Sequence, residues 1–322
     1  MKPTINVVVT CTKRKRVSPK RELQLRSVKG RSLAEKNGLW LRRLDEAVGE
    51  GIAAQDLYAG DHWSVVRALD KAAADSKLRV KIWVCSAGYG LIDLDTKLHP
   101  YAATFSVGVA DSITRGMRKL DPRDSAKQWW RLLTKWKGPT SGSPRSIAEL
   151  ARIHPHHSLL IVGSPNYLTA LEDDLLKAAK SLKGVGRLMI VSGASARISQ
   201  LSKYCLPCSA VLQSVVGGSR SSLNVRLARR LLEEIPPDKL NYSTAHAKLE
   251  RLIRRQPKRK PKARRKTNDA AVRAFIIRAF VSNPGVGCDA LLRRFRAGNR
   301  ACEYSRFRAM FRRVNKEKAN GN

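Results

Sequence analysis

Val80-Lys81-Ile82-Trp83-Val84-Cys85-Ser86-Ala87-Gly88-Tyr89-Gly90-Leu91-Ile92-Asp93-Leu94-Asp95-Thr96-Lys97-Leu98-His99-Pro100-Tyr101 is the stretch that decides the fold. Val80 and residues 82–85 form a nearly unbroken apolar run, which predicts a short strand buried on both faces. The character then changes within one residue. Ser86, Ala87, Gly88 and Gly90 are small enough to let a backbone approach a ligand closely. Asp93, Asp95, His99 and Tyr101 add polar and stacking groups. A buried strand opening into such a loop is where open α/β sheets bind their ligands. Taken alone, the same residues also read as a glycine turn with two solvated aspartates, and the rest of the chain weighs between the two.

Before this stretch, residues 4–10 predict a first strand that ends in Cys11-Thr12-Lys13-Arg14-Lys15-Arg16. That cationic loop suits phosphate contact, and equally a solvated charge run. Leu39, Leu41, Leu44 and Val48 predict a helix, and Val65, Val66, Leu69 and Ala73 a second one with Asp61 as its N-cap. After it, residues 104–122 carry no readable period. Trp129, Trp130, Leu132, Leu133 and Trp136 fall on a helix from near Arg123, with the tryptophans as a core stripe. Further strands are predicted at 159–162, 187–191 and 210–216, with helices between them. Strands alternating with helices predict an α/β fold, a mainly parallel central sheet with helices on both faces. In that topology the loops after all five strands emerge on one edge. Lys13, the 88–101 loop, Ser164 with Asn166, residues 192–195 and residues 219–224 should therefore converge. Ser219, Arg220 and Ser222 precede a helix, so they suit a phosphate at its positive end or an ordinary serine cap.

The 322 residues carry 63 Lys and Arg against 26 Asp and Glu, a net charge of +37. A field of that size implies a polyanionic partner, nucleic acid or an anionic membrane surface. No apolar stretch is long enough to span a bilayer, and Met1-Lys2-Pro3 leads into the first strand without a cleavage-site pattern. The reading is a cytoplasmic protein whose partner is nucleic acid, with no membrane and no obligate protein partner. Six sparse cysteines do not make a disulfide scaffold. Cys205 and Cys208 form one close pair where a structural zinc site usually needs two, and His154, His156 and His157 read as loop residues, so no metal or other cofactor is expected.

From residue 251 onward there are 22 Lys or Arg against 4 Asp or Glu, about half of the whole excess. The predicted organisation is an α/β domain over 1–250, a basic linker over 251–268 and a helical module over 269–322. Pro257 and Pro261 punctuate the linker. In the module, Val272, Phe275, Ile276 and Phe280 mark one helix; Leu291, Leu292 and Phe295 a second; Phe307, Met310, Phe311 and Val314 a third. Arginines fill the positions between. A unit of this size and pattern is like the helix-turn-helix modules that lie along DNA. Arg264, Arg265, Arg293, Arg294, Arg306 and Arg312 are the candidate DNA contacts. Among those arginines no asparagine or glutamine is placed to read bases, so binding without regard to sequence is expected.

Cys11-Thr12-Lys13, Asp56-Leu57-Tyr58 and residues 86–92, with Asp93, Asp95 and Pro100-Tyr101, resemble an uncharacterised bacterial α/β family found near mobile and defence genes. The 85–91 string is also similar to the peroxide-stress DNA-binding proteins. Both are distantly similar to the uracil-DNA glycosylase superfamily. Some relatives look like anti-phage glycosylases that remove α-glucosylated hydroxymethylcytosine from phage DNA. The resemblance covers residues 4–234 and implies a glycosylase fold, double-stranded DNA as partner and an abasic product. It departs from the superfamily in lacking the Gly-Gln-Asp-Pro-Tyr-His loop; Leu98-His99-Pro100-Tyr101 shares only the Pro-Tyr pair.

Cleaving an N-glycosidic bond places positive charge on the deoxyribose and negative charge on the leaving base. The enzyme needs a carboxylate near the sugar and donors near the base. Asp93 and Asp95 are the candidate catalytic carboxylates. Lys13, Ser86, Asn166, Ser219, Arg220 and Asn224 are candidate substrate contacts, and Tyr89 or Tyr101 the stacking partner of a flipped base. Lys13 and Lys97 leave chemistry through a lysine Schiff base open. Two competing readings are a DNA-binding protein without enzymatic activity and a tRNA- or RNA-modifying protein.

Overall fold

The structure is a computed structural model that describes residues 2–74, 78–117, 121–193, 199–257 and 265–320. The chain divides into two compact units, Met1–Pro257 and Lys258–Asn322. In the first unit the strands are β1 (Thr4–Thr10), β2 (Ile52–Ala53), β3 (Arg79–Ser86), β4 (Gly90–Asp93), β5 (Lys97–Leu98), β6 (Ser158–Val162), β7 (Leu188–Val191) and β8 (Cys205–Leu206). Its helices are α1 (Leu33–Asp45), α2 (Ala54–Leu57), α3 (Asp61–Val66), α4 (Leu69–Ala74), α5 (Pro122–Lys135), α6 (Ile147–Ile153), α7 (Pro165–Ser181), α8 (Gln213–Val216), α9 (Leu223–Glu234) and α10 (Tyr242–Arg254).

One six-stranded sheet runs in the order β4-β3-β1-β6-β7-β8. Its pairings are parallel except for the β3–β4 hairpin. Every residue from Ile5 to Thr10 is buried. Side chains alternate between faces along a strand, so burial without alternation means that both faces are covered. Helices α1, α5 and α7 pack on one another in sequence, with α6 against α7, while α3, α4 and α8 gather on α9. The chain leaves β1 for β3 on one side, then crosses back to β6 and on to β7 and β8. The order reverses between β1 and β6, and a crevice outside their carboxyl ends is the ordinary ligand site of such sheets.

Three expectations change. The fifth parallel strand is the two-residue β8, while residues 210–216 form a 3-10 turn followed by α8; apolar content without its pairing partner does not separate strand from helix. The cap of α3 is Gly60, at φ 101°, and the Asp61 side chain turns elsewhere. The tryptophan stripe of α5 is core as expected, at Trp129 and Trp130, with Trp136 partly buried. In addition, α10 runs through Arg251–Arg254 and buries Ala245 and Leu249, so the start of the basic stretch is helical.

The second unit holds α11 (Asp269–Ser282), α12 (Cys288–Ala297) and α13 (Tyr304–Asn320), with β9 (Arg265–Lys266) pairing β10 (Arg300–Ala301). Val272, Ile276, Phe280, Leu291, Leu292, Phe295, Phe307 and Val314 form its core. Asn268 caps α11 by accepting from the Ala271 amide at 2.9 Å, and Asn299, at φ 57°, makes the left-handed turn after α12 that asparagine tolerates. No helix among the described residues is long and apolar enough to cross a membrane.

Candidate functional site

The β1 strand ends in a loop laced to the segment before α3. The Ala59 amide donates to the Arg14 carbonyl at 3.1 Å, the Arg16 amide to the Leu57 carbonyl at 2.9 Å, and the Thr12 hydroxyl to the Ala59 carbonyl at 3.2 Å. This lacing turns one of four consecutive cations inward. The Lys15 ammonium donates to the Thr12 carbonyl at 3.2 Å and stands 4.2 Å from the centre of the Tyr101 ring and 5.5 Å from that of Tyr58. The ring faces favour the charged form. Burial opposes it and wins, so the Lys15 pKa lies below the ordinary lysine value, with Cys11 and Asp111 partly restoring it.

Beneath Lys15 the hydroxyls of Tyr101 and Ser86 meet at 2.6 Å and those of Tyr101 and Tyr58 at 2.8 Å. Ser86 also accepts from the Gly88 and Tyr89 amides at 3.1 and 2.9 Å. Burial holds the Tyr58 and Tyr101 phenols well above their usual range, which keeps them neutral. Across the strand reversal the Cys11 thiol and the Tyr167 hydroxyl are 2.9 Å apart.

A loop over residues 103–117 borders the crevice and is pinned from below. Arg26 grips Asp111 through two guanidinium contacts, one at 2.9 Å, and through its own amide at 3.2 Å. Lys36, 1% exposed, donates to the carbonyls of Ile113 at 3.1 Å and Arg115 at 2.9 Å. Burial lowers Lys36 to about 8. Phe105 packs edge-on against Tyr167 at 5.1 Å. On the other side, Asp61 accepts from the Ser219 amide and hydroxyl at 3.2 and 2.8 Å, from the Ser222 hydroxyl, and from Arg226 at 2.6 Å. Those donors, Ser222 foremost, hold the carboxyl far below the usual carboxylate range.

Several predicted residues are placed differently. Asp93 pairs with Trp83, three residues back from Ser86, because β4 runs antiparallel and carries the chain away from the carboxyl edge. Asp93 and Asp95 instead line a groove of about 590 Å³ with Lys81, Trp83, Lys97 and His154, near the amino half of β3. There Asp93 accepts from the Asp95 amide at 3.0 Å and Asp95 from Gln55 at 2.8 Å, the pattern of turn aspartates. Ser86, Tyr89 and Tyr101 are at most 2% exposed, so they are floor rather than stacking surface. The approach that Gly88 permits is internal: a Cβ there would lie 2.5 Å from the Tyr101 ring.

Asn166 reaches the rim and is exposed, with one 3.4 Å contact to Ser106. Asn224 donates to the Gly163 carbonyl at 3.2 Å, which ties α9 to the end of β6. The anion position at Ser219 and Ser222 is filled by Asp61, while Lys13 and Arg220 are exposed. Ala194 and Ser195 lie outside the described residues.

In the second unit Arg265, Arg293, Arg294 and Arg312 are exposed. Arg306 is engaged instead, paired with Asp269 and donating to the Thr267 carbonyl at 3.0 Å. Arg264 lies outside the described residues. Among the described residues no three His, Cys, Asp or Glu side chains gather as metal ligands. Cys205 and Cys208 are free thiols, pushed by burial up to about 11.

Sequence reasoning passed over Lys36 and Asp111, named Asp61 only as a helix cap and did not separate Lys15 from its cationic neighbours. Nothing in Lys13-Arg14-Lys15-Arg16 marks the third member, and Asp61 meets partners 158 to 165 residues away. No protein-family model, curated protein or solved structure matches this chain.

Proposed function

We propose that the protein is a DNA glycosylase that excises a modified base at the crevice outside β1 and β6. The observation that carries this reading is the gathering of Lys15, Asp61, Asn166 and the Asp111 loop on one rim, in a chain with a net charge of +37. A base turned out of a duplex is bound by groups that can neutralise and hydrogen-bond it. Asp61, kept ionised by its donors, supplies negative charge on the rim for the sugar as the glycosidic bond breaks. The exposed Asn166 amide suits the base or a sugar carried by it. Arg265, Arg293, Arg294 and Arg312 hold backbone phosphates without regard to sequence, so affinity falls steeply with salt. Following the resemblance, the base is a glucosylated hydroxymethylcytosine of phage DNA, the product an abasic site and the role anti-phage defence.

The test is incubation with unmodified, hydroxymethylated and glucosylated duplexes, followed by measurement of free base and alkali-labile breaks. Release from the glucosylated duplex alone is the expected result. A second reading, a DNA-binding protein without enzymatic activity, draws on the engagement of Asp61 and Asp111 in ion pairs and on the distance of Asp93 from the carboxyl edge. Release from none of the three duplexes would decide for it.

A further inference from the structure

We propose that Lys15 is the nucleophile of this site, its amine attacking C1′ of the deoxyribose whose base is removed. The inference rests on the glycosylase reading and adds a covalent intermediate to it. Two lysines flank the carboxyl edge, Lys36 buried and Lys15 partly exposed, and the contrast between them assigns their roles. Lys36 directs its amine at the carbonyls of Ser112, Ile113 and Arg115, so its hydrogens are committed to holding one loop. Lys15 has one carbonyl acceptor, Thr12, and otherwise meets the ring faces of Tyr101 and Tyr58. No carboxylate stands within ion-pair distance of it among the described residues.

Withdrawing a cation from water without an ion-pair partner is costly, and groups perturbed in this way cluster at functional sites unless, like Lys36, they are saturated with carbonyl acceptors. Desolvation also favours the form an amine nucleophile needs, with a lone pair in place of the third N–H bond. The phenols around it are neutral and offer no counter-charge. Lys13 is exposed two residues earlier, and Lys97 lines the groove that holds Asp93 and Asp95.

In the step, the Lys15 nitrogen forms a bond to C1′ as the C1′–N bond to the base breaks. The base leaves with that electron pair and takes up a proton. The amine loses a proton, the C1′–O4′ bond opens with O4′ protonated, and an iminium links Lys15 to the sugar. Water then hydrolyses the iminium to free lysine and the abasic aldehyde. Alternatively, loss of a C2′ proton to water expels the 3′-phosphate with its C–O electron pair and nicks the strand.

The experiment uses the full chain and a duplex bearing one preformed abasic site, in the presence of borohydride, with the adduct mapped by peptide mass spectrometry. Expected is a covalent adduct on Lys15, lost in Lys15→Arg and Lys15→Gln and retained in Lys13→Gln. The mapping on the unaltered protein does not depend on how the variants fold. An adduct confined to other amines, or none while base release from a glucosylated duplex proceeds, overturns the Lys15 assignment and leaves the glycosylase standing. An adduct on Lys15 with no base released from any duplex supports the nucleophile and removes the glycosylase reading.

Discussion

Two regions of the α/β unit, the carboxyl rim and the groove beside β3, carry aspartates and lysines, and they hold them in opposite states. On the carboxyl rim, Asp61 and Asp111 are each gripped by an arginine, and Lys15 is partly buried under the rim loop. In the groove beside the amino half of β3, Asp95 and Lys97 are exposed, and Asp93 and Asp95 bond to an adjacent amide and to Gln55. The same residue types thus form an interlocked array of convergent partners in one place, with Asp111 buried beneath an exposed Asp61, and an ordinary turn in the other. Residue identity alone does not make a site; desolvation and convergent partners do.

The largest expected effect lies under the rim. Gly88→Ala would force a methyl into the Tyr101 ring, at 2.5 Å, and should cost about 2–3 kcal/mol in urea unfolding. An unchanged midpoint would show that the rim floor is loose and the contrast overstated.

Lys36→Met leaves buried carbonyls of Ile113 and Arg115 without donors and should cost about 1–3 kcal/mol. Its pH dependence has a definite sign. Burial lowers Lys36 from 10.5 to about 8, so between those values the unfolded chain binds the proton more often than the folded one. The contribution of Lys36 to stability therefore rises from pH 8 to 10.5, and the gap between the native protein and Lys36→Met should widen in favour of the native protein over that window. Stability curves for the two proteins at several pH values would check it.

Asp61→Asn removes the charge that three side chains and an amide converge on, and with this exposed carboxylate screened by water a loss of about 0.5–1 kcal/mol is expected at neutral pH. Since the folded-state pKa is depressed, this contribution is present above the ordinary carboxylate value of 3.8 and fades as pH falls below it. Denaturation of the two proteins should converge in acid.

Asp93→Asn and Asp95→Asn should change stability by no more than about 0.5 kcal/mol and leave base release from a glucosylated duplex intact. Loss of release in either variant with DNA binding retained would move the chemistry into the groove and reverse the comparison.

Much of the fold is legible in the chain. The apolar runs in β1, β3, β6 and β7 and the helical period of α5, α7 and the three helices of the second unit are local patterns, so they appear without knowledge of neighbours. The candidate site is legible only in outline. The convergence of Lys13 with Ser164 and Asn166 follows from the parallel topology, residues 219–224 reach the same edge without the strand expected before them, and Asp93 and Asp95, where the chemistry is expected, lie elsewhere. The structure takes the alternative reading of that stretch, a glycine turn with two solvated aspartates, and only strand pairing reveals the reversal that places Asp93 opposite Trp83. The helical arginines of the second unit look alike in sequence, and Arg306 differs from Arg312 only because Asp269 packs beside it.

The sequence by itself determined a cationic chain with a parallel α/β core and a separate helical unit, because charge and hydrophobic period are properties of neighbours along the chain. The tertiary structure decided which lysine is desolvated, which aspartate stays ionised by clasping residues 219–226, and which glycine admits a tyrosine ring. Each of those depends on groups brought together from distant parts of the chain, and burial and partnership arise only when the chain has folded.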